Sequence, residues 1–228
     1  MKNECLICGE PLEYLNEDVE TECEICHKKE NSKTRCVKGH YVCSECHMKG
    51  SDSIISVCLS ETSRSPVEIL DKCMSMPFCH MHGPEHHIMV GSALITAYAN
   101  SGGNIDLETS LKEMFRRGSS VPGGACGFWG ACGAGISAGM FVSIVTGSTP
   151  LDTDNFALSH EMTSRALGRI GQTGGPRCCK RDSYLSIIEA VKFAEEKLHI
   201  KMDAPDITCV YSNLNEQCIA GKCPFFKK

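Results

Sequence analysis

Residues 121–151 read VPGGACGFWGACGAGISAGMFVSIVTGSTPL, and no charged side chain interrupts them, although 22% of the chain is charged. The middle of this stretch, 129–145, is apolar or small on nearly every helical face, which predicts a helix enclosed by others. Gly130, Ala131, Gly133, Ala134, Gly135, Ala138 and Gly139 are poor helix formers as a group. Their value is close approach, of a neighbouring backbone or of a bound group. The stretch is long enough to cross a bilayer. Its Gly, Ser and Thr content, and flanks without clustered Lys or Arg, favour a buried helix over a span. It therefore reads as the central helix of a bundle, with Cys126 and Cys132 at its entrance.

Working outward, 228 residues suffice for one large domain, or for one small and one medium domain. A net charge of −5 provides no basic footprint for nucleic acid or an anionic membrane. The opening MKNECLICGE lacks the apolar core of a secretory signal, so a cytoplasmic protein is expected. Its seventeen cysteines then read as reduced thiols and metal ligands rather than a disulfide framework, because many fall in CxxC pairs.

Seven of those cysteines precede residue 50. Cys5 and Cys8, Cys23 and Cys26, Cys36 and His40, and Cys43 and Cys46 form four pairs, enough for two tetrahedral zinc sites. So few large apolar side chains accompany them that metal must contribute to folding. The order CEICHKKENSKTRCVKGHYVCSEC resembles RING and treble-clef zinc modules. That resemblance implies Cys23, Cys26, Cys43 and Cys46 on one zinc, and Cys5, Cys8, Cys36 and His40 on the other. A sequential pairing stays open. Glu4, Glu10, Glu13, Glu17, Asp18, Glu20, Glu22 and Glu24 make the module acidic, which favours a cap or protein contact over nucleic acid. His27 and His47, each after a CxxC, read as outer-sphere or solvated groups.

Residues 51–65 read as a serine-rich linker with room for one short element, and 66–228 as a cysteine-rich helical domain. Ser65-Pro66 predicts a helix start, and Asp152 or Asp154 another. Pro84 predicts a third, running to Asn100. An amphipathic helix is expected over 105–117 and a further one over 183–199, the latter opened by Arg177-Cys178-Cys179-Lys180. The fold expected is mainly α: a helical bundle around the Gly/Ala-rich helix, with a small treble-clef or RING-like zinc module at its N-terminus.

Chemistry in the second domain gathers at three places. Cys126 and Cys132 lie among glycines at a helix entrance, where a helix dipole stabilises a thiolate. Cys178 and Cys179 follow glycines and a proline at another helix start, adjacent residues pointing about 100° apart. Cys218 and Cys223 sit in the irregular tail. Thiolates from separated loops suit an iron–sulfur cluster held by backbone N–H donors, or a thiol relay. Cys58, Cys73 and Cys209 read as inert. The segment HMHGPEHH adds His80, His82, Glu85, His86 and His87. His82 and His86 read as ligands or proton carriers in the same cavity as the thiols.

The CxxC and CVKGHYVCSEC knuckles, HMHGPEHH, CGFWGACGAGISAG, GGPRCC and the final CPFF resemble an uncharacterised cysteine-rich family of methanogenic archaea and anaerobic bacteria, a domain of unknown function. That resemblance implies an anaerobic setting and joint use of the motifs. The helical part is similar, more distantly, to redox proteins with a C-GCAxxG-C-C pattern, from which Gly130-Ala131-Cys132-Gly133 departs.

Three functions are therefore expected, in this order. The first is a metal-binding protein of anaerobic redox or sulfur metabolism. It would carry two structural zincs and an iron–sulfur or reactive-thiol centre at Cys126, Cys132, Cys178 and Cys179, with a protein redox or sulfur-transfer partner. The second is a non-catalytic zinc-finger adaptor. The third is a zinc-dependent hydrolase or lyase using the histidine segment. Homo-oligomer formation stays open.

Overall fold

The structure, a computed structural model, describes residues 5–227; Glu4 of the acidic front lies outside them. The chain begins with an antiparallel hairpin, β1 (Leu12–Glu22) and β2 (Lys29–Cys36), whose register shifts between Tyr14 and Val19. A single-turn helix, α1 (Ser44–His47), completes this module. Hairpin and helix serve to present sulfur ligands, and the module has almost no apolar interior of its own.

The rest is helical: α2 (Ser53–Ser60), α3 (Pro66–Met74), α4 (His86–Asn100), α5 (Leu107–Ser119), α6 (Ala125–Phe128), α7 (Gly133–Val145), α8 (Thr153–Thr173) and α9 (Cys179–Lys197). Three starts follow from local chemistry. Ser65 accepts from the Glu68 N–H with Pro66 at the first helical position. Asp106 accepts from Thr109 N–H and Asp152 from Asn155 N–H, each at 3.0 Å or less. The linker expected over 51–65 holds α2, whose Ile54 and Cys58 are fully buried in the main core, while Ser56, Leu59 and Ser60 face out.

The central helix is shorter than its sequence pattern. The chain turns at Gly130, at φ +65°, so α6 is a separate single turn and α7 starts only at Gly133, with Cys132 at its N-cap. From there α7 packs against α4, α5, α8 and α9. The small residues work as spacing: a Cβ on Gly139 would collide with Thr163 Oγ1 of α8, and one on Gly91 of α4 with Met114 and Ser137. Among the described residues no helix is long and apolar enough to cross a membrane.

Candidate metal centres

In the N-terminal module the four ligand pairs interleave. Cys5, Cys8, Cys36 and His40 bring their ligand atoms within 4.8 Å of one another, and so do Cys23, Cys26, Cys43 and Cys46. Cys8 Sγ to Cys36 Sγ is 3.6 Å and Cys26 Sγ to Cys43 Sγ is 3.7 Å. The edge of a tetrahedron with Zn–S bonds of about 2.3 Å is about 3.8 Å. Ile7 and Lys38 donate backbone N–H bonds to Cys5 Sγ and Cys36 Sγ, and Cys43 N–H donates to Cys23 Sγ. Burial alone would raise the Cys23 thiol, but backbone donors including Cys43 and Cys26 bring it down to about 6. Both tetrads can hold zinc or another metal ion. The crossed pairing follows from the hairpin, which carries the first and second pairs to opposite ends.

A cavity of about 900 Å³ lies between this module and the helices. Tyr14 and His47 line it from the module, and Cys126, Cys132, Cys179 and His82 from the helical side. Arg177 stacks over the Tyr14 ring at 5.4 Å, and Tyr14 meets Phe128 at 6.2 Å, so aromatic contacts close one wall. Burial, with the Asp182 charge beside it, pushes the Cys132 thiol up to about 12. Cys179 keeps some surface within the cavity, but protein encloses it, and that burial holds its thiol well above the ordinary value. Burial and the Arg177 charge lower His82 to about 4, against a weak opposing contact from Asn215. His87 Nδ1 donates to Val121 O at 3.0 Å and turns its other edge toward Gly133 at the start of α7.

The six second-domain cysteines expected at one centre are divided. Cys126, Cys132 and Cys179 face the large cavity. Cys178, Cys218 and Cys223 instead surround a void of about 20 Å³ together with Cys209, which the sequence had marked as inert. The division arises at the start of α9. Cys178 is its N-cap and Cys179 its first residue, so their side chains diverge. The tail then folds back, pairing Cys209 with Phe226. Around the small void, Tyr211 N–H donates to Cys209 Sγ, Ala220 N–H to Cys218 Sγ, and both Arg181 N–H and Asn215 Nδ2 to Cys178 Sγ, at 3.3–3.5 Å. These are the donors that thiolates on a metal or cluster require.

The histidine segment is divided too. His82 and His87 line the cavity, whereas His86 is fully buried away from it, contrary to the shared cavity expected for His82 and His86. Helix α4 starts two residues later than Pro84 predicts, since Glu85 turns its carboxylate to the His80 N–H (2.8 Å) rather than capping the helix. Two three-residue sets share Glu85: Cys79, Glu85 and His86, and His47, His80 and Glu85. The first is already filled by Lys180, whose Nζ lies 3.0 Å from Cys79 Sγ, His80 O and His86 Nε2. Lys180 and His47 were not recognised as site residues in the sequence. Each follows a cysteine motif and looks solvated until the tertiary fold covers it.

A family model described as "Family of unknown function (DUF5714)" matches residues 54–226. No curated protein and no solved structure matches the chain.

Proposed function

The chain belongs to that family of unknown function, and we propose that it is a redox metalloprotein. Cys178, Cys209, Cys218 and Cys223 would hold an iron–sulfur cluster beside a thiol-lined cavity that receives a small substrate. The observation carrying this reading is the divergence of two neighbours: Cys178 joins the four-cysteine void, while Cys179 opens into the large cavity. Arg181 lines both. Four cysteines with backbone donors suit a cluster, which supplies one-electron chemistry when bound; the void they line is water-sized, about 20 Å³, so the tail would have to open to admit one. Cys209, Cys218 and Cys223 keep partial exposure, which leaves the centre near the surface for a protein redox partner. In the cavity, the uncharged imidazole of His82 and the thiols of Cys126, Cys132 and Cys179 can bind a soft or electrophilic group. Arg177 supplies a positive charge for an anionic one.

The N-terminal tetrads, read as two zinc sites, would be structural and would hold the wall carrying Tyr14. The test is anaerobic purification of the full chain, with iron, zinc and acid-labile sulfide measured alongside the visible spectrum. The expected outcome is two zincs, iron and sulfide, with iron lost in Cys209→Ser and Cys218→Ser and retained in Cys126→Ser. Iron-free protein after reconstitution, or iron that tracks Cys126 and not Cys209, overturns the assignment.

A further inference from the structure

Glu85 is a fully buried carboxylate, and its one strong hydrogen bond is to the His80 N–H. A buried carboxylate needs a paired charge or a metal. Lys180, a buried cation, is directed elsewhere: its Nζ bonds Cys79, His80 O and His86. Three imidazoles face Glu85 instead, but His86, whose Nδ1 is 3.7 Å from Oε1, already spends that nitrogen on Gly83 O. His47 Nδ1 lies 3.5 Å from Oε2 and His80 Nδ1 3.5 Å from Oε1, with the rings 4.4 Å apart. His47 Nδ1, His80 Nδ1 and Glu85 Oε2 are all buried without a hydrogen-bond partner. Three orphaned atoms pointing at one another are the exception in folded proteins and call for an explanation.

We propose that His47, His80 and Glu85 form a third metal site, for a first-row divalent cation. One ion between two imidazole nitrogens and one carboxylate oxygen would satisfy all three orphans at once. The donors are borderline nitrogen and hard oxygen, a set that suits zinc or iron(II) and leaves a coordination position open. Space for the set is provided locally, since a Cβ on Gly83 would strike the Glu85 carboxylate. His47 also lines the large cavity, which puts the site at the cavity's edge. The three ligands come from two parts of the chain. His47 lies in the N-terminal module, directly after Cys46, while His80 and Glu85 lie inside the segment matched by the family. The ion would thus tie the module to the helical domain. This inference does not depend on a cluster in the tail.

The experiment is equilibrium dialysis of the full-length, zinc-loaded protein against zinc ion near pH 7.5, with bound zinc counted per chain. Wild type should take up one zinc beyond the two of the module. His47→Asn and His80→Asn should each weaken that last zinc by more than about 100-fold, the upper end of what loss of an outer-sphere partner costs. Both should keep the first two zincs and the wild-type circular dichroism. Cys218→Ser should keep all three, which separates this site from the proposed cluster. Uptake that stops at two, or a third zinc indifferent to both histidine variants, overturns the proposal and leaves the trio as an ion pair. If His47→Asn disturbs the neighbouring tetrad, the first two zincs fall as well, and His80→Asn, remote in sequence from the module, decides alone.

Discussion

Lys180 Nζ lies 3.0 Å from Cys79 Sγ, across 101 residues of sequence, and Lys180 has no exposed surface. His86 Nδ1 donates to Gly83 O, so its Nε2 is an acceptor. Cys79 Sγ, His80 O and His86 Nε2 therefore match the three donors of the amine one for one. Lys180→Met keeps the stem and removes the donors, leaving the buried Cys79 Sγ and His86 Nε2 without the amine, while His80 O keeps only the long bond from Cys79 Sγ. We predict a loss of about 2–4 kcal/mol, read as a lower urea midpoint at unchanged slope. A variant as stable as wild type would show that these contacts contribute nothing net.

The pH dependence of cavity thiol chemistry follows from Cys132. Burial and the Asp182 charge hold its thiol at about 12, so in the metal-free protein it is protonated throughout the neutral range. The thiolate is the nucleophile. Alkylation of Cys132 by iodoacetamide, followed by peptide mass spectrometry, should therefore be slow at pH 7–9. It should accelerate about tenfold per pH unit as far as the protein stays folded. A rate that already levels off near pH 8 would mean a pre-formed thiolate and would revive the thiol-relay reading.

Much of this architecture was legible in the sequence, and the physical reasons differ by element. Ser65-Pro66 and Asp152 are local signals whose partners lie three residues away, so the starts of α3 and α8 could be read directly. The ligand pairs of the module were equally local, and their crossed pairing followed from resemblance. The break at Gly130 was not legible, because a helical run of small residues looks the same whether or not one glycine adopts positive φ. The partition of the thiols was hidden for another reason. Which pocket receives Cys178 and which Cys179 depends on where a tail 30 residues later folds back. Lys180 and His47 follow cysteine motifs, but nothing local says that the tertiary fold covers them.

The small residues of α7 give a sharper test of the close approach read from the sequence. Gly139 faces α8, where an added methyl would meet Thr163 Oγ1 and, at 3.0 Å, the Ser159 carbonyl. The carbonyl belongs to helix backbone and cannot move alone. Gly139→Ala should cost about 1–3 kcal/mol through overpacking, despite the better intrinsic helix propensity of alanine. Gly171→Ala, where nothing lies within 4 Å of the added carbon, is the control and should be neutral or stabilising. Equal melting temperatures for the two variants would remove the spacing argument.

The adjacent cysteines at the start of α9 separate the two pockets experimentally. Cys178 Sγ accepts from Arg181 N–H and Asn215 Nδ2 beside the tail, whereas Cys179 lies in the cavity and feels the Cys132 thiol. Substituting either with serine changes one atom in the same turn of helix, so loss of fold affects both variants alike. Cys178→Ser should bind less iron and sulfide and show a weakened visible band. Cys179→Ser should keep the iron, the sulfide and the visible band. If the two behave identically, the pockets act as one centre. Iron lost on substituting Cys179 while Cys178→Ser retains it would move the cluster into the cavity, with Cys126 and Cys132 as its next ligands to test.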